Sequence, residues 1–107
     1  MERMIPSIDN IKLELDKICK ESSIKRVWLF GSYARNEADS LSDLDLIVDL
    51  DDALDIERFD TILGLDVDTL TLKSFDRKRK SRLRFDRRFV DRVDRERILV
   101  YEKKERK

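Results

Sequence analysis

Histidine is absent from this chain, cysteine occurs once, as Cys19, and glycine only twice, as Gly31 and Gly64. The first two scarcities exclude an internal disulfide and the familiar thiolate or imidazole metal sites, so any metal must be held by oxygen. With no second cysteine and no base beside it, Cys19 reads as a small buried apolar residue. Long apolar runs are missing too. The opening MERMIPSIDN has no signal-peptide core, and no run approaches the roughly 18 residues that a spanning helix needs. We therefore expect a cytoplasmic protein with no membrane role.

What is present is charge. Of 107 residues, 45% are charged and 40% hydrophobic, apolar enough to fold around one core and too short for two. The expectation is one domain over residues 1–107, with a flexible basic tail from about residue 102. The formal net charge is zero, yet residues 1–72 carry 8 cations against 17 anions and residues 73–107 carry 16 against 7. Such asymmetry suggests that the two halves face different partners, or each other.

Ile8, Ile11, Leu15 and Ile18 recur at helical spacing, so residues 7–22 read as an amphipathic helix capped by Ser7 or Asp9. VWLF, residues 27–30, is a short apolar run ended by Gly31, as in a strand covered on both faces. SYARNEA predicts a short helix after the glycine turn. DLDLIVDL alternates, with Leu44, Leu46, Val48 and Leu50 on one face and Asp43, Asp45, Ile47 and Asp49 on the other. Residues 51–64 suggest a loop and a helix ending at Gly64, with Leu54, Phe59 and Leu63 inward. LDVDTLTL predicts a third strand that places Asp66, Asp68 and Leu70 together. The basic stretch from Arg77 to Arg97 reads as one helix with Phe85, Phe89 and Val93 as its apolar stripe and Leu83 and Val90 nearby, and ILVY as a last strand. Its Asp86, Asp91, Asp94 and Glu96 read as parts of a solvated or protein-binding face.

Two aspartates on one strand face, joined by a third from a neighbouring strand, repel one another unless a cation sits among them. Hard oxygen ligands favour Mg²⁺, which completes its coordination with water and substrate phosphates and so implies a nucleotide. Gly31 permits close approach of a phosphate, the backbone N–H groups after it are donors, and the Ser32 hydroxyl is a further one.

GSYARNEADSLSDLDL, a Gly-Ser followed about ten residues later by Asp-x-Asp, resembles the signature of the DNA polymerase β-like nucleotidyltransferase superfamily. In particular it is similar to the minimal nucleotidyltransferases, and the likeness extends over nearly the whole chain. The resemblance implies an α+β fold, a small mixed β-sheet flanked by helices. It implies that Gly31 and Ser32 bind the triphosphate of ATP, that Asp43, Asp45 and Asp68 are catalytic and ligate Mg²⁺, in two ions, and that Asp66 stands in reserve for Asp68. Ser42 contacts substrate or closes a turn. Relatives usually carry glycine where this chain has Asn36, the next best residue for a left-handed backbone.

The same resemblance implies a partner. Minimal nucleotidyltransferases commonly pair with a small all-helical HEPN ribonuclease toxin and neutralise it by transferring AMP to a tyrosine. The chain is then an antitoxin and protein adenylyltransferase in a hetero-oligomer. Two other readings stand beside it: an antitoxin that acts by binding alone, and a transferase or binding protein whose partner is RNA or a small molecule.

Overall fold

In the computed structural model, residues 7–20, 24–39, 41–50 and 66–103 are described. The expected loop and helix of residues 51–64, and the last tail residues, lie outside that range.

Helix α1, Ile8–Cys19, starts where Ser7 accepts a hydrogen bond from the Asn10 N–H at 3.1 Å, which settles the choice of cap. Its buried stripe is Ile11, Leu15 and Cys19, one turn apart. Strand β1, Arg26–Phe30, follows and buries Val27 and Leu29. Strand β2, Leu44–Asp49, pairs with it antiparallel, placing Trp28 opposite Ile47 and Phe30 opposite Asp45. Strand β3, Val67–Thr71, runs parallel to β2, with Asp68 in register with Asp45.

Helix α2, Leu72–Lys80, leaves β3 directly, because the Thr71 hydroxyl caps it by accepting from the Ser74 N–H at 3.1 Å. Helix α3, Arg84–Glu96, and strand β4, Ile98–Glu102, complete the order. β4 joins β1 antiparallel, giving a mixed sheet β3-β2-β1-β4. Glu102, expected in the tail, is thus the last residue of a strand.

The sheet divides two apolar layers. On one face α1 packs on Val27, Leu29, Leu44, Leu46 and Val48. On the other, Ile47 meets Phe75 of α2 and Val90 and Val93 of α3, with Trp28, Phe30 and Phe89 around them. The alternation of β2 is therefore as expected, and Asp45 shares its face with Ile47. Within the second layer Phe89 meets Phe30 and Phe75 edge to face, at 5.9 and 6.3 Å between ring centres.

Four expectations need correction. SYARNEA makes a single turn, with no helix: Arg35 N–H donates to Gly31 O, and Glu37 N–H to Ser32 O at 2.8 Å. Asn36 stops it, adopting φ 60° in the left-handed position that ends a helical turn. The basic stretch is two helices, because Ser81 turns extended and its hydroxyl accepts from the Leu83 N–H at 3.1 Å. The expected apolar stripe holds only in part: Val90 and Val93 are in the core, whereas Phe85 is 66% and Leu83 55% exposed. The acids of α3 are not simply solvated either. Asp86 is buried against Lys78 at 3.5 Å, and Asp94 grips Arg79 through two bonds of 2.7 and 2.8 Å.

Candidate active site

Where β1 ends, the chain must reverse beside β2, and Gly31 does so at φ +77°, a conformation that strains any other L-residue. A Cβ at Gly31 would also collide with the carboxylate of Asp45. The glycine therefore serves Asp45 first: with no side chain at residue 31, that carboxylate lies against the turn.

A cleft of about 330 Å³ opens at this corner, lined by Gly31, Ser32 and Asp45 on the sheet side and by Phe89, Arg92 and Glu96 of α3 on the other. Arg35 is also in its wall, held by Glu37 and by Glu96, each at 3.0 Å. Those two carboxylates keep the guanidinium in its charged form and lash the Gly31–Asn36 turn to α3. Arg92 makes no ion pair among the described residues, so it is the cation of the cleft left for a ligand.

Asp45 is half-buried, and its pKa is pushed up to about 6. Burial is the largest cause, followed by the negative charges of Asp68 and Asp43, with Arg35 opposing them. The three carboxylates expected to work together thus feel one another, and Asp45 is the one that bears the cost. Asp68 is its partner in register on β3, and Asp43 is exposed just before β2. Asp66, exposed, precedes β3, and its backbone carbonyl accepts from Leu44 N–H at 2.9 Å. Among the described residues no three such side chains are gathered as a ready metal cage. Mg²⁺ does not require one, since it is usually held by one or two carboxylates, with water and substrate phosphates completing the octahedron. An all-oxygen, mutually repelling set around a half-buried carboxylate suits that ion.

Ser42 sits outside the cleft lining. Its hydroxyl accepts from Asp39 N–H at 2.9 Å and donates to Asp39 Oδ1 at 3.1 Å, closing the turn before β2. Sequence reasoning placed none of Arg35, Arg92 and Glu96 at the site, reading Glu96 as part of a solvated or protein-binding face. Arg35 lies inside the signature and could have been found by its place after the glycine turn; the other two enter only because α3 packs across the end of β1.

No described helix is long and apolar enough to cross a membrane. A family model described as a nucleotidyltransferase domain matches residues 11–105. Among curated proteins, two chains of Methanocaldococcus jannaschii, both named as inferred protein adenylyltransferases, are similar. One is 36% identical over 84 residues, covering 72% of this chain and 90% of its own. The other is 38% identical over 82 residues, covering 67% and 82%. A chain from a crystal structure of a toxin-antitoxin with AMP-PNP has a similar fold, with a TM-score of 0.61 at 18% identity, over 87% of this chain and 74% of that one.

Proposed function

This chain belongs to the nucleotidyltransferase domain family, and from that premise we propose that it is an antitoxin that transfers AMP from ATP to a tyrosine hydroxyl of a HEPN ribonuclease toxin. The observation that carries this reading is the corner where Gly31, Ser32 and Asp45 meet, with Asp68 in register beside Asp45. The relatives' names and the toxin-antitoxin neighbour support the protein acceptor and the partner.

Asp43, Asp45 and Asp68 would hold Mg²⁺. When bound, the ion neutralises charge on the triphosphate and lowers the pKa of the acceptor hydroxyl. The rest falls to the chain's own groups. The turn after Gly31 offers N–H donors and the Ser32 hydroxyl to the phosphates, and Arg92 faces them across the cleft. The acceptor oxygen forms a bond to the α-phosphorus, the bond from that phosphorus to the bridging oxygen breaks, and pyrophosphate leaves with its electron pair. The tyrosine proton passes to Asp68. Since positioning dominates such a transfer, the rigid attachment of the turn to α3 through Arg35 and Glu96 is part of the machinery.

The test is incubation with ATP, Mg²⁺ and a candidate HEPN toxin, sought among the proteins encoded next to this chain, followed by intact mass of both. A gain of one or more AMP units on the partner, lost with Asp43→Asn and Asp45→Asn, is the expected result. A tight, inhibiting complex without any mass gain would instead mean neutralisation by binding alone.

A further inference from the structure

A protein acceptor must bring its hydroxyl to the cleft, and the surface that leads there is α3. Phe85, Phe89, Arg92 and Glu96 follow one another at spacings of four, three and four residues, one side of a helix. The last three line the cleft; Phe85 continues the same line outward. Seven residues of helix separate it from Arg92, about 10 Å. Beside Phe85, at 66% exposure, stands Leu83 at 55%. Single exposed apolar residues are ordinary; Phe85 differs in standing one turn outward from Phe89 on the side of α3 that lines the cleft.

Arginine predominates around this pair. Arg82, Arg84, Arg87 and Arg88 are exposed, and none forms an ion pair among the described residues; of the acids of α3, Asp86 is held by Lys78, Asp94 by Arg79 and Glu96 by Arg35, while Asp91 stands exposed one turn beyond Arg87 and Arg88. Arg84, Arg88 and Arg92 repeat every four residues, so the cationic row also runs toward the cleft. An aromatic centre ringed by arginine is the composition of protein interfaces, where lysine is depleted. Of the two exposed apolar residues only Phe85 offers a nucleic acid a ring to stack on, and Asp86, Asp91, Asp94 and Glu96 interrupt the arginines along α3 where a phosphate-binding stripe is continuous.

We infer that the Leu83–Phe85 end of α3 is the dock for the protein acceptor, which meets it with an apolar pocket rimmed by aspartate and glutamate and thereby presents its hydroxyl to the cleft. This rests on the adenylyl-transfer reading above, and the experiment separates the two. A photo-cross-linking benzoylphenylalanine is placed at Phe85, and at Leu13 of α1 as an exposed control, in cells that make the chain, and the products are probed for label from α-labelled ATP. The expected result is a protein cross-linked from residue 85 and not from residue 13, which carries the label and whose yield falls about tenfold with Arg84→Glu and Arg88→Glu together, while the MgATP affinity of that variant is unchanged. A cross-link to RNA, to a second copy of the chain, to nothing, or to a protein indifferent to the charge reversal overturns the dock. A charge-dependent protein cross-link that never carries label overturns the transfer reading and leaves the surface standing.

Discussion

The carboxylate of Asp45 occupies the space that a side chain on residue 31 would need. One glycine and one aspartate, fourteen residues apart in sequence, thereby define the corner of the cleft, and each depends on the other: the turn is possible because residue 31 is glycine, and Asp45 keeps its place because nothing projects from it.

Gly31→Ala should therefore damage both stability and site. The left-handed backbone and the displaced carboxylate together are expected to cost about 1 to 3 kcal/mol, read by urea unfolding, and MgATP binding should weaken with it. A variant as stable and as tight as the wild type would remove glycine's special role.

Asp45 itself should be a local liability. Its pKa rises from 3.8 to about 6 in the fold, so the folded state holds its proton more tightly than the unfolded chain does. Stability from this group is full below pH 3.8 and is lost as pH climbs through about 6. With chelator present, Asp45→Asn should be more stable than the wild type at about pH 8, by about 1 kcal/mol once solvent screening of a half-exposed group is allowed for, and the advantage should vanish at acid pH. Greater stability of the aspartate at high pH would contradict the charge repulsion assigned to this corner.

The opposite sign applies to Asp94. The hydrogen bonds from Arg79 hold its pKa below the usual carboxylate range, so its contribution is present near neutrality and is lost as pH falls through that lowered value. Asp94→Asn should cost a few tenths to about 1 kcal/mol at neutral pH, the range of exposed ion pairs, and nothing in strong acid. Unfolding curves across pH check it.

Asn36 at φ 60° should accept glycine with little change, whereas Asn36→Ala should lose about 1 kcal/mol, because alanine keeps the β-carbon and lacks the short polar side chain that eases asparagine into the left-handed region. Equal stability of all three would show that the turn does not depend on this residue.

Arg92→Ala should raise the KM for MgATP about tenfold with the fold intact, as expected for loss of a charge-assisted phosphate contact. Arg35→Ala should instead lower stability as well as activity, because Arg35 bridges Glu37 and Glu96. Similar behaviour of the two variants would contradict their different roles.

Much of this was legible in the residues. The period of DLDLIVDL put Asp45 on the face of Ile47, Ser7 capped its helix, and Asn36 took the left-handed position that its side chain tolerates. What failed did so where local pattern is silent. Ser81 breaks the basic stretch without glycine or proline, using a hydroxyl bond that composition does not announce. Phe85 and Phe89 look alike by spacing, and only the tilt of α3 across Phe30 and Phe75 decides which is covered. Arg92 and Glu96 reach the cleft through tertiary packing alone, across about sixty residues of chain from Gly31.

The measurement closest to the central claim is titration of a non-hydrolysable ATP analogue into wild type and Asp45→Asn, with Mg²⁺ and again with chelator. The account predicts binding that needs Mg²⁺ and weakens at least about tenfold, or 1.4 kcal/mol, in the variant. Equal affinity in chelator, or an unaffected variant, would contradict a metal-assisted triphosphate site at the Gly31–Asp45 corner.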